Sequence, residues 1–290
     1  MKPLAPVVLV MGKGGVGKTT VAAGLAVLEA ETHGHSVLVE VGDGESGRRA
    51  LWGGHKEVEH VVIKPDEAIT RGATPLFGSA TLARLCLGNF AMRPLLRAAP
   101  AVRELAMLES VRQVKEAHPG ARVVVDMPAT GHGVAWLRIP RQGKTLLGSG
   151  PLFEMCDRLS RELLAPGHAS IAVVTLPERL VLEETFELCA AIEAGAGLGV
   201  DRLVVNRLPV AMPEGALEEA AALAGQATAA GRSASEILPI LRARAAARAE
   251  SLSALDHALR AEHAVWRLPL APVDPSAKDV ARWLLNEGAP

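Results

Sequence analysis

Tyrosine is absent from this 290-residue chain, and all aromatic residues together make up 3% of it. So few ring faces exclude a base-stacking platform for single-stranded nucleic acid. A surplus of charge is missing too: 31 Lys and Arg meet 32 Asp and Glu, for a formal net charge of -1. A protein that coats a phosphate backbone needs a basic excess, so no nucleic-acid partner is expected. Cysteine is scarce. Cys86, Cys156 and Cys189 lie far apart and none forms a C-x-x-C pair. That odd, scattered set excludes a disulfide framework and points to a reducing compartment. No apolar run approaches the ~18 residues that begin to suggest a membrane span. The apolar start of the sequence runs straight into glycines, without a cleavage site of the signal-peptide kind. The expectation is a cytoplasmic protein whose membrane association is at most indirect.

Apolar residues form 49% of the chain and charged ones 22%, a globular balance. Short apolar runs, many of them β-branched, alternate with longer Ala- and Leu-rich segments. The expected strands are Val7–Met11, Ser36–Val41, Val58–Ile63, Ala121–Asp126, Ser170–Thr175, Arg202–Asn206 and Ala264–Leu268. Several are continuously apolar, as strands covered on both faces must be. Helix-length stretches lie between them, notably Lys18–His33, Leu180–Ala194, Glu214–Ala230 and Glu236–His263. This rhythm predicts one α/β domain over residues 1–290, with a mainly parallel sheet flanked by helices. Two stretches break it, at about 76–118 and 145–166, and read as helical insertions. Mixed charges between Arg242 and Glu262 read as a solvated helix face.

The chemistry sits in Gly12-Lys13-Gly14-Gly15-Val16-Gly17-Lys18-Thr19-Thr20, between the first strand and the first helix. It fits G-x-x-x-x-G-K-[ST] in the strand–loop–helix setting that a phosphate-binding loop requires. Glycines let successive N–H groups turn inward onto phosphate oxygens, and the positive end of the helix dipole points the same way. Lys18 is then placed for the β- and γ-phosphates, the Thr19 hydroxyl for Mg²⁺, and Thr20 for the α-phosphate. Asp126 ends a buried strand and is expected to hold Mg²⁺ through a water. Asp43 follows another, Ser36–Val41, and is placed to orient or deprotonate an attacking water. An Asp after a strand can also be a plain turn former or helix cap.

The early second lysine, Lys13, resembles the deviant Walker A group, which includes MinD, ParA, nitrogenase iron protein and the ArsA ATPases. There this lysine reaches the nucleotide of a facing subunit, so the resemblance implies a homodimer with ATP sandwiched between two copies. Asp126-Met-Pro128-Ala-Thr130-Gly131-His132, followed by Leu137-Arg138-Ile139-Pro140, looks like the D-T-A-P-T-G-H-T-L-R-x-L-x-x-P switch of the ArsA/GET ATPases. MinD and ParA lack that T-G-H. The resemblance makes Asp43, Asp126, Pro128, Thr130, Gly131 and His132 switch residues, with His132 either a γ-phosphate sensor or a packing residue. Pro177-Glu178 with Glu184-Thr185 is similar to the family's P-E-x-x-x-x-x-E-T. Val204-Val205-Asn206-Arg207 is similar to its V-V-N-[QR], which implies that Asn206 reads adenine. Pro269-Leu270-Ala271-Pro272 resembles its P-L-x-P loop, which puts Pro272 near the base.

The chain also departs from that family. D-P-A-H becomes Asp43-Gly44-Glu45-Ser46, which predicts a looser first switch. The C-x-x-C that holds a shared zinc in eukaryotic targeting factors is missing between Asn206 and Pro269. Leu82, Leu85, Leu95, Leu96, Leu105, Met107 and Leu108 fall where those factors have an apolar client groove, and they serve equally well as plain core. Three functions stay open. One is an Mg²⁺-dependent ATPase switch that controls a protein client. Another is a nucleotide-assembled scaffold with little turnover. The third is the energising subunit of a metalloid pump.

Overall fold

Seven parallel strands form one sheet in the computed structural model, which describes residues 3–52, 55–73, 100–128, 130–258 and 264–288. They are β1 (Val7–Gly12), β2 (Ser36–Val41), β3 (Val58–Ile63), β4 (Arg122–Asp126), β5 (Ala169–Thr175), β6 (Arg202–Leu208) and β7 (Val265–Pro269), in the order β3-β2-β4-β1-β5-β6-β7. Every residue of β1 and β5 is buried, which is why their sequences do not alternate. The described helices are α1 (Lys18–His33), α2 (Glu45–Ala50), α3 (Pro65–Ala73), α4 (Pro100–Ala117), α5 (Thr130–Leu146), α6 (Pro151–Glu162), α7 (Arg179–Ala196), α8 (Ala216–Ala224), α9 (Ala229–Ala258) and α10 (Ala277–Gly288).

Strand side chains alternate between two cores. Val7, Leu9 and Met11 pack with α4, α5, α6 and α7, whereas Val8 and Val10 pack with α1 and α10. Close approach of α1 to α10 depends on Gly24, where a Cβ would lie 2.3 Å from Val280 Cγ1. Among the described residues, no helix is long and apolar enough to cross a membrane.

Two helix limits differ from the sequence expectation. The stretch expected from Glu214 to Ala230 stops at Ala224, and the next helix starts at Ala229 rather than Glu236. Thr228 Oγ1 accepts the Gly231 N–H at 3.1 Å, so this side chain caps the third amide of α9 and sets its start. In α9, Arg242 and Arg244 are exposed and Arg248 donates to the Pro209 carbonyl.

Residues 76–99 of the first expected insertion lie outside the described residues. In the remainder, Leu105, Met107, Leu108 and Val111 of α4 are core residues. The second stretch holds the end of α5 and all of α6, whose Met155, Cys156 and Leu159 are buried.

Burial pushes the Cys156 thiol up, and it pushes Cys189 of α7 up to about 11 with help from the charge of Glu193. Thiolate is the reactive form. Both thiols are therefore expected to ignore Ellman's reagent at pH 8 in the folded protein and to react within minutes in guanidinium. Rapid reaction of both before unfolding contradicts this packing.

Candidate functional site

The carboxyl ends of β1, β4 and β2 meet at the centre of the sheet, where an open parallel sheet places its ligands. The loop leaving β1 is fixed by close contacts. Gly12 has φ +144°, and a Cβ there would lie 2.3 Å from the Val174 carbonyl oxygen. Gly17 has φ +95°, and its Cβ would lie 2.4 Å from Asn206 Nδ2. Between them, Gly14 and Gly15 are exposed and Val16 is buried against the core. Helix α1 starts with no side-chain cap and no acid in its first turn. Lys18, Thr19 and Thr20 thus open a helix whose first N–H groups and positive dipole end suit an anion.

Lys18 is half-buried and its Nζ donates to the Lys13 carbonyl at 3.0 Å. Desolvation lowers its pKa, and the charge of Asp126 opposes that only in part. Asp126 stands level with Val10 on the neighbouring strand. Its Oδ2 accepts the Thr19 hydroxyl at 2.6 Å, while its Oδ1 is buried without a hydrogen-bond partner. Burial pushes this carboxyl up to about 6. The Thr19 bond and Lys18 pull it down, and Glu40 adds to the rise. A buried carboxylate oxygen lacking a partner is costly, and a hard cation beside it removes that cost. A hydroxyl and a carboxylate at the mouth of a phosphate loop fit Mg²⁺.

Asp43 is exposed beyond β2, and its Oδ1 accepts the Glu45 N–H at 2.9 Å. It therefore caps the first turn of α2. Gly44 gives a reason for the lost proline that differs from looseness. It is buried at φ +82°, a conformation closed to proline, and a Cβ there would meet Val62 Cγ2 at 2.5 Å.

Lys13 is exposed, and its Nζ pairs with Glu184 of α7. Thr185, the next residue, shares a 2.8 Å hydrogen bond with Thr175 at the end of β5. The resemblance includes Glu184 in the P-E-x-x-x-x-x-E-T motif but gives it no role at the site. Glu184 lies 171 positions from Lys13, so no spacing in the sequence links them.

Asn206 sits against the phosphate loop. Its Nδ2 donates to the Val16 carbonyl at 2.9 Å, and its Oδ1 accepts the Arg207 N–H at 2.9 Å. The bond to the Val16 carbonyl ties the phosphate loop to the end of β6. Arg207 has φ +57°, alone among described non-glycines in the left-handed region, where β6 bulges against β7. Pro272 is exposed just after β7, next to β6 in the sheet. Pro128 links β4 to α5, and Thr130, Gly131 and His132 form the first turn of α5. The side chains of Thr130 and His132 lie outside the described residues.

Comparison with known proteins agrees with this geometry. The family model of the CobQ/CobB/MinD/ParA nucleotide binding domain matches residues 7–222, well over half of the chain. Over 222 residues the chain is 27% identical to ATPase BagA of Mycobacterium tuberculosis, covering 69% of this chain and 64% of that one. The same figures hold for a Mycobacterium bovis protein named "Putative ATPase Mb3704". The matched region is thus less than two thirds of the length of these curated relatives. A match of this extent, over a parallel sheet with a phosphate loop at its centre, makes the chain a member of the CobQ/CobB/MinD/ParA nucleotide-binding domain family.

Proposed function

We propose that this protein binds ATP with Mg²⁺ and hydrolyses it to ADP and phosphate as an ArsA/GET-like homodimeric switch, whose nucleotide state controls a protein-client surface. The observation that carries the reading is the orphaned Asp126 oxygen, on the carboxylate that accepts the Thr19 hydroxyl beside the phosphate loop. Thr19 and Asp126 are the residues that would hold the cation, which when bound neutralises charge on the phosphates.

The chain's own groups divide the remaining work. Amides at the start of α1 and the Lys18 ammonium bind the phosphates and draw charge from the γ-group. Asp43 orients a water and accepts its proton as the oxygen bonds to the γ-phosphorus and the bond to ADP breaks. Lys13 leaves Glu184 and crosses to the nucleotide of the second copy.

Its present pairing supports a switch, because Lys13 and Glu184 border a groove of about 610 Å³ between α5 and α7. Moving Lys13 alters the charge at that rim. The capping bond of Asp43 favours a second reading, a nucleotide-assembled scaffold with little turnover.

Phosphate release by the wild type and by Asp43→Asn separates the two. The ATPase reading expects a loss of ~100-fold in the variant, with ATP affinity kept within a few-fold. Tight ATP binding by both proteins without turnover overturns it and leaves the scaffold.

A further inference from the structure

Strand β2 reads Ser-Val-Leu-Val-Glu-Val, and its one charged residue, Glu40, is only 6% exposed. A carboxylate inside a sheet is costly unless it is well bonded. Glu40 Oε2 accepts the Gly47 N–H at 2.8 Å and lies 3.1 Å from Nε2 of His60 on the adjacent β3. Gly47 is the third residue of α2, so its amide is one of the donors that a helix start leaves without a partner. The contact is tight: a Cβ on Gly47 would lie 2.5 Å from Glu40 Oε2 and 2.5 Å from His60 Nε2.

Two carboxylates therefore tie the first turn of the same helix. Asp43 holds the Glu45 amide and Glu40 holds the Gly47 amide. Only Glu40 is anchored in the sheet, where it stands level with Asp126 on β4. A continuous chain of contacts thus runs from the Asp126 strand through Glu40 to α2, and from α2 back to the Asp43 carboxylate. His60 Nε2 meets the same oxygen that accepts the Gly47 amide, so β3 helps hold that oxygen in place beside α2.

We propose that Glu40, braced by His60, is a positioning residue that pins α2 to the sheet and so fixes the Asp43 carboxylate relative to the phosphate loop. Its effect on turnover rests on the ATPase reading above, whereas its tether of α2 does not. Glutamine keeps an acceptor for the Gly47 amide and leucine does not.

The test compares wild type, Glu40→Gln, Glu40→Leu and Gly47→Ala by amide exchange over residues 44–51 without nucleotide, and by kcat and KM for Mg-ATP. Glu40→Leu is expected to exchange at least ~10-fold faster there, as loss of a fixed amide partner allows. It should lose ~10-fold in kcat while KM stays within twofold. Glu40→Gln should recover most of both. Gly47→Ala keeps Glu40 but pushes α2 away, so it should reproduce the leucine result even if Glu40→Leu fails to fold.

Unchanged exchange in both disruptive variants overturns the tether. Equal losses in the leucine and glutamine variants overturn it as well, since they trace the effect to charge. If wild type does not turn over, the ATPase reading has failed together with the kinetic half of this proposal, and exchange alone decides the tether.

Discussion

Replacing Lys18 with alanine is expected to lower phosphate release by ~10³-fold and ATP affinity by ~10²-fold, the scale for losing a positioned cation at a transferring phosphoryl group. The geometry supplies the reason. Lys18 rises from the first turn of α1, its Nζ is held 3.0 Å from the Lys13 carbonyl, and burial has already removed part of its water. An ammonium so placed gains from an arriving phosphate much of what desolvation took from it. The same desolvation predicts that unliganded Lys18→Ala melts no lower than wild type. Calorimetric ATP titration and a phosphate assay check the first part. An affinity within threefold of wild type contradicts it.

Asp126→Asn is expected to act in opposite directions on function and stability. Turnover should fall by ~10²-fold, because the carboxylate that would help hold the cation is gone. Stability without metal or nucleotide should rise. Burial holds the folded carboxyl up at about 6, above the ordinary 3.8 of an aspartate. Between these values the folded chain holds the proton more tightly than the unfolded one, so stability falls as pH climbs from about 4 through 6 and the penalty is complete above that.

Asparagine carries no charge and escapes the penalty, worth ~2 kcal/mol at pH 7.5. In EDTA its Tm should exceed the wild-type value by roughly 4 °C at pH 7.5, and the gap should close towards pH 4. Added Mg-ATP should reverse the order, since wild type gains from binding and the variant gains little. A variant that melts below wild type at every pH from 4 to 7.5 contradicts the buried, unpaired state of Asp126.

The parts of this molecule that sequence reveals are those fixed by local chemistry. Short apolar runs mark the positions of all seven strands; they are continuous in the fully covered β1 and interrupted by polar residues in β3 and β7, nearer the edges of the sheet. The phosphate loop was legible for a similar reason, since glycines, Lys18 and Thr19 act within one turn of backbone. What stayed hidden depends on distant packing. Gly44 reads as a loosened proline position until Val62 is seen against it. Glu184 has no local mark that ties it to Lys13. Asn206 is placed by resemblance beside adenine, and its bonds to the Val16 carbonyl and the Arg207 amide, the first across 190 positions, carry no mark in the sequence. Glu40 did leave a signal, a lone acid in an otherwise apolar strand, and its meaning depends on the fold of α2. Thr228 shows the limit at helix ends, where one threonine among several possible caps sets the start of α9.

The central claim is a phosphate site completed by a second copy through Lys13. Its most direct test is initial phosphate release per chain at saturating Mg-ATP over a wide range of protein concentration, with sedimentation velocity on the same samples. The account predicts that activity follows the dimer fraction and that Lys13→Ala stays inactive at every concentration. Full turnover by protein that sediments as a monomer, or by Lys13→Ala, contradicts it.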